Sequence, residues 1–162
     1  MKLALLWVGK TQFSYISQAS TEYFNRIKHY MPFEQIEIPD LKSTRNMTES
    51  VQRTKEGQGI LKQLRTDDFV VLLDDKGKSF TSKEFASWVE KMQLNSIKRI
   101  VFIIGGAYGF SPEIYDRANM QLSLSKMTFS HQIIRAIFAE QLYRVMTILR
   151  GEPYHHEESG RK

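Results

Sequence analysis

Five short apolar runs punctuate the chain: LALLWVG at 3–9, FEQIEI at 33–38, FVVLLD at 69–74, RIVFIIGG at 99–106 and MQLSLS at 120–125. Each has the length of a β-strand, too short for an independent helix. Longer stretches with apolar residues three and four apart separate them. In 12–30, Phe13, Ile16, Tyr23, Phe24 and Ile27 follow that spacing, and Met31-Pro32-Phe33 stops the helix. Thr48 and Glu49 open a mixed polar helix ending at Leu64, although its Gly57 and Gly59 each cost about 1 kcal/mol against alanine. Thr81 or Ser82 caps a third helix reaching Leu94. Ser111-Pro112-Glu113 signals a fourth start, with a capping hydroxyl, a proline in the first turn and then an acid. From His131 to Arg150, Ile133, Ile134, Ile137, Phe138, Leu142, Val145, Met146 and Leu149 form a stripe wide enough to pack on a sheet and in part on another subunit.

Strands alternating with helices predict an α/β fold, with a mostly parallel sheet of about five or six strands and helices on both faces. No repeat, low-complexity tract or linker divides the chain. One domain is expected over 1–157. The aperiodic end EPYHHEESGRK reads as exposed, with 158–162 as a flexible tail.

Composition narrows the possibilities. The 162 residues suit a single domain with a real core, and 41% hydrophobic with 25% charged is the balance of a globular protein. A formal net charge of +5 favours an acidic partner such as nucleic acid. The absence of cysteine excludes disulfides, thiolate zinc sites and cysteine nucleophiles. The opening MKLALLWVGK is too short in its apolar run for a signal peptide, and no stretch approaches a membrane span. A cytoplasmic protein without membrane attachment is expected.

Candidate chemistry collects where strands end. VFIIGGAYGF at 101–110 leaves the fourth strand through Gly105, Gly106 and Gly109, in the region where open α/β sheets bind ligands. As turn residues the glycines would supply positive φ and close packing. A dinucleotide fingerprint fails, because the spacing is Gly-Gly-x-x-Gly and the run follows the fourth strand; no Gly-Lys-Ser/Thr follows to make a Walker A loop. Two more strand ends join the glycines: LLDDKGK at 72–78 and SLSKMTFSHQ at 123–132. Facing one another, these loops build a cleft in which Leu73 and Met127 offer apolar surface to a flat ring while main-chain groups bind its edge. Taken alone, Leu73 and Met127 read better as core.

FIIGGAYGF, LSLSKMTFSHQIIRAIFAEQLYRVMTILRGEPYHHE and the opening LLWVGK together resemble the RlmH family of 23S ribosomal RNA pseudouridine N3-methyltransferases, over Met1 to about Glu157. That resemblance implies a SPOUT-class fold with a C-terminal trefoil knot, a homodimer, and methylation of 23S rRNA from S-adenosyl-L-methionine, in the context of assembled ribosomes. Periodicity alone would exclude a knot, since knots are rare. Matched position by position, the resemblance places the cofactor against Leu73, at Gly105 and along Leu124, Ser125, Lys126, Met127, Thr128 and Phe129. Ser130 stands where proline often precedes the histidine, and ESGRK extends past the usual end.

Methyl transfer from a sulfonium needs chiefly alignment, together with a donor or cation that helps an imide nitrogen shed its proton. Tyr154, His155 and Arg144 are the candidates for positioning the substrate, with a stacking ring beside a titratable one in the tail. His131 would either cap its helix or act directly, and Arg135, like Arg144, would be a solvated charge or a phosphate contact. No residue stands out as a general base. A metal site in YHHE is not expected, because adjacent ligands fit poorly around one ion. Two rival readings remain: a knotted RNA methyltransferase of another base specificity, and a non-catalytic RNA-binding module.

Overall fold

In the computed structural model, which describes residues 1–156, the alternation resolves into five strands and five α-helices. In chain order they are β1 (Lys2–Val8), α1 (Ser14–Ile27), β2 (Phe33–Ile38), α2 (Glu49–Gln63), β3 (Phe69–Ser79), α3 (Ser82–Leu94), β4 (Arg99–Ile104), α4 (Pro112–Arg117), β5 (Met120–Ser123) and α5 (Ile133–Leu149). A single 3-10 turn, Thr44–Asn46, lies between β2 and α2. The expected domain end at Glu157 and the tail 158–162 lie outside the described residues.

All strand pairs are parallel, in the order β2-β1-β4-β3-β5. Successive side chains in a strand point to opposite faces, so the uninterrupted apolar runs of β1, β3 and β4 feed two cores at once. Leu3, Leu5 and Trp7 pack with Ile100 and Phe102 against residues of α1, α3 and α5. Ala4, Leu6 and Val8 pack with Val101 and Ile103 against Ile60 of α2 and Ile114 of α4. Helices therefore cover both faces, three on one side and two on the other.

The structure revises three local expectations. β3 runs on to Ser79, because Asp74–Gly77 bulges outward and Lys78 and Ser79 return to pair with Leu122 and Ser123. Gly77 makes this possible: a Cβ there would lie 2.5 Å from the Gln121 carbonyl carbon. β4 stops at Ile104, which leaves Gly105 and Gly106 outside the strand. Ser111 does stand at the N-cap of α4, but its hydroxyl makes no capping bond and is buried without a partner among the described residues; Pro112 and the first-turn acid Glu113 supply the start signal. Gly57, a cost to α2 as a helix, serves packing. A Cβ on it would lie 2.7 Å from Ser111 Oγ and 3.2 Å from Ile114 Cγ1, so α4 seats directly on α2.

A buried ionic cluster closes the end of the sheet where the strands begin. Arg99 donates to Asp68 Oδ1 at 2.8 Å, to Glu34 Oε1 at 2.8 Å and to the Gln63 carbonyl at 3.1 Å. Burial alone would push Asp68 up, but the bonds from Arg99 and from the Arg65 amide outweigh it and hold the carboxyl below its usual range. A depressed carboxylate contributes stability above its unfolded value, about 3.9, and that stability is lost as pH falls through the folded value. Asp68→Asn is expected to cost about 2 kcal/mol in urea unfolding at neutral pH, because it removes the charge-assisted bonds to the buried Arg99 guanidinium and leaves it only Glu34 and the Gln63 carbonyl. The gap from the parent protein should close below the carboxylate range; an equally stable variant at neutral pH would contradict this role.

A candidate cofactor pocket and a distant C-terminal tail

From the end of β3 the chain passes to α3 on one face, and from the end of the adjacent β4 it passes to α4 on the other. Neighbouring strands whose connections diverge in this way leave a crevice beyond their carboxyl ends. Here the crevice is a cavity of about 530 Å³ lined by the ends of β3, β4 and β5, the loops that follow them, and the start of α5. Leu73, Ile104, Leu122, Leu124 and Ile134 make its apolar wall, while Asp74, Asp75, Ser125 and Thr128 supply polar groups.

The glycines divide their work. Gly109 has φ of 77°, and its amide donates to the Gly106 carbonyl at 3.1 Å, so it turns the chain in a conformation that favours glycine. Gly105 and Gly106 are not in the left-handed region. A Cβ on Gly105 would sit 3.2 Å from Phe110 Cε1 and 3.4 Å from the Gly109 carbonyl carbon, so its role is close approach within the pocket wall. The loop after β5 is shaped by its own side chains: Ser123 Oγ donates to the Ser125 carbonyl at 2.8 Å, and the Met127 amide donates to Ser125 Oγ at 2.9 Å. Thr128 Oγ1 reaches Asp75 Oδ2 at 3.3 Å and links that loop to the β3 bulge.

Seven of the eight positions assigned to the cofactor line this cavity: Leu73, Gly105, Leu124, Ser125, Met127, Thr128 and Phe129. Lys126 does not line it and is exposed. Met127 is 78% exposed, which corrects its reading as core, whereas Leu73 belongs both to the core and to the cavity wall. Tyr115 carried no recognisable signal in the sequence. From α4 its hydroxyl donates to Asp74 Oδ2 at 2.6 Å across 41 residues, and burial together with that carboxylate pushes it up to about 12.

The start of α5 is sewn to the end of β1. Arg135 is fully buried and donates to the carbonyls of Val8 at 3.0 Å, Gly9 at 2.9 Å and His131 at 3.0 Å, and to Thr11 Oγ1 at 3.0 Å. Its guanidinium also lies 5.4 Å from the centre of the Trp7 ring. Gln132 donates to the Lys10 carbonyl at 3.0 Å and accepts from the Gln12 amide at 2.8 Å. Arg135 is thus neither a solvated charge nor a phosphate contact; a guanidinium that deep, with four acceptors, is a structural clamp. His131 makes no cap bond and lines the cavity, and burial and then the Arg135 charge push it below its usual value.

The tail is held against the opposite end of α5. Tyr154 lies 4.7 Å from Tyr143, Arg144 lies 4.9 Å over the Tyr154 ring, and His155 Nδ1 is 3.1 Å from Arg144 Nη1. Tyr30, just beyond α1, donates to Glu152 at 2.6 Å. Tyr154 and His155 are therefore half-buried, which corrects their reading as an exposed tail. Burial first, then the Tyr23 hydrogen bond, push Tyr154 up to about 12. The 17 residues of α5 rise about 1.5 Å each. Ile134 lines the cavity, and Arg144, which Tyr154 and His155 contact, stands ten residues further along the helix, a rise of about 15 Å.

A parallel α/β sheet with a cavity of ligand size beyond its strand ends, walled in part by the segment that leads into α5, has the architecture in which α/β proteins place a small-molecule site. Comparison with known proteins is more specific. A family model described as "Predicted SPOUT methyltransferase" matches residues 1–155. The protein named ribosomal RNA large subunit methyltransferase H from Parabacteroides distasonis is 54% identical over 157 residues, covering 97% of this chain and 100% of the relative. The protein of that name from Phocaeicola vulgatus is 55% identical over the same shares, and that from Christiangramia forsetii is 49% identical, covering 96% of this chain and 99% of its own. The chain belongs to the SPOUT methyltransferase family.

Arg135→Met keeps much of the bulk and removes every donor, leaving the Val8 and Gly9 carbonyls unpaired; it should cost about 2–4 kcal/mol in urea unfolding. An RNA-contact role would instead leave stability intact and weaken only RNA binding.

Proposed function

We propose that this protein is an S-adenosyl-L-methionine-dependent methyltransferase that methylates N3 of a pseudouridine in 23S ribosomal RNA, on assembled ribosomes, as a cytoplasmic homodimer. One observation carries the reading: three strand-end loops converge on one apolar-walled cavity, in a methyltransferase-family chain that matches rRNA methyltransferases along nearly its full length. The segment 124–132, which recrosses the strand ends from β5 at the edge to β1, is the part that would be threaded as a trefoil knot.

The cavity suits the cofactor. Leu73 and Leu124 offer apolar surface for a purine, and Gly105, packed closely on Phe110 in the wall, would present its backbone to the ligand. Main-chain groups of Gly105 and of 124–129 that the loop's own bonds leave free would bind the ring edge. S-adenosylmethionine would supply an activated methyl on a sulfonium. The chain would hold that group in line with the incoming nitrogen and exclude water with the Leu122 and Ile134 wall.

The substrate must be made nucleophilic at an imide nitrogen, and a cation beside its carbonyls favours the anion. Arg144 is the candidate. Glu140, 2.6 Å away, and His155 fix its fork in advance. Tyr154, under the same guanidinium, presents a ring on which an unstacked base can lie. Arg144 stands about 15 Å along α5 from Ile134 in its own cavity wall, and we read the site as completed by a second copy. α5 retains half-exposed Ile133 and Ile137, and nearby Phe13 and Tyr15 are 47% and 63% exposed, apolar surface that a partner would cover. With the two α5 helices antiparallel, each tail would reach the other chain's cavity.

In cells lacking this protein, mass mapping of 23S rRNA should show the loss of one methyl from a pseudouridine-containing fragment. The parent gene should restore it and Gly105→Val should not, with the folding and dimerisation of that variant verified on the purified protein. An unchanged methylpseudouridine signal in the deletion would overturn the assigned target; full restoration by Gly105→Val would overturn the assigned pocket.

A further inference from the structure

One buried acid lies behind the glycine loop, outside the cavity lining. Glu56 of α2 is 7% exposed; its Oε2 accepts from Gln52 at 3.3 Å, and its Oε1 has no hydrogen-bond partner among the described residues. A Cβ placed on Gly106 would lie 2.7 Å from that Oε1 and 3.0 Å from Oε2. The carboxyl therefore faces the bare α-carbon of Gly106. The next residue of α2, Gly57, meets Ser111 in the same way at the far end of the loop. Glu56 and Gly57 thus seat both ends of the segment 106–111, whose near part lines the cavity.

A buried carboxyl oxygen without a bond is costly, and burial together with the nearby Asp40 carboxylate favours its neutral form. Shortening or removing this side chain would recover that cost, yet the position keeps a long acid where it fills the space beneath Gly106. Gly106 is not in the left-handed region, so its backbone would accept alanine. What excludes a side chain at Gly106 is Glu56.

We infer that Glu56 is a positioning residue for the cofactor: by contact with Gly106 it props the glycine loop at the height at which Gly105 and Gly106 form the pocket wall. This rests on the reading of the cavity as the S-adenosylmethionine site. The carboxyl touches neither the cofactor nor the substrate and acts only through the loop. The loop cannot sink toward α2 while Glu56 fills that space, and it can when the side chain is shortened.

The test is calorimetric titration of the purified full chain with S-adenosylmethionine, paired with steady-state methylation of ribosomes. Glu56→Ala should weaken cofactor affinity and raise KM for the cofactor about tenfold, with kcat at saturating cofactor within about twofold of the parent. Glu56→Gln, which keeps the shape, should restore affinity to within about threefold. A merely structural role would lower the active fraction, and so kcat, without this split. Gly106→Ala should weaken binding in the parent and do so far less when combined with Glu56→Asp, whose shorter side chain withdraws the oxygen. The inference is overturned if folded Glu56→Ala binds like the parent, or if Gly106→Ala costs the same in both backgrounds. Should Glu56→Ala not fold, the Gly106→Ala comparison decides alone. Failure of the parent protein itself to bind would instead remove the cofactor reading.

Discussion

The arrangement depends on one buried guanidinium. Arg135 sits beneath the Trp7 ring and donates to the last carbonyls of β1, so the start of α5 is pinned beside the centre of the sheet although β5, which precedes it, lies at the edge. The intervening segment has no choice but to recross the ends of β3 and β4. In doing so it forms the third wall of the cavity, and it points the rest of α5 down the far side toward the strands' starting ends. Removing hydrophobic contacts elsewhere would loosen a core; removing this clamp would release both the wall of the pocket and the direction of the helix.

A second constraint is steric. Close approach at three glycines, each at a different seam, draws the cavity together: Gly77 brings the β3 bulge onto β5, Gly57 brings α4 onto α2, and Gly105 keeps the wall bare. Only Gly109 in this loop uses the conformational freedom usually cited for glycine. The pocket is thus an outcome of backbone proximity, with side chains such as Asp75 and Thr128 tying the rims together afterwards.

Much of this was legible in the chain. Runs of strand length mark all five strands: β1, β3 and β4 as uninterrupted apolar segments buried on both faces, and the edge strand β2 by its alternation of apolar and polar residues. Arg135 reads from sequence as a helix-face charge, since an arginine amid a helix carries no mark of burial until the three of its four acceptors that lie more than 120 residues away are in place. Ser111 looked like a cap and is instead pressed against Gly57. Glu56 and Tyr115 gave no signal at all, because their partners are brought to them only by the stacking of helices on the sheet. The sequence marks Tyr154 and His155 as candidates, but where they sit follows from the direction of α5, which pattern alone does not convey.

That direction underlies the central proposal: the pocket lies at the start of α5 and the tail against its C-terminal half, and we propose that each pocket is served by the tail of a partner chain. Mixed dimers test it most directly. Chains carrying Gly105→Val are denatured and refolded together with chains carrying Tyr154→Ala and His155→Ala, and ribosome methylation is measured. Each parent dimer should be inactive, while an equal mixture should regain about a quarter of normal activity, since half the dimers hold one intact composite site. A mixture as inactive as its parents, with mixed dimers shown to form, would contradict the account.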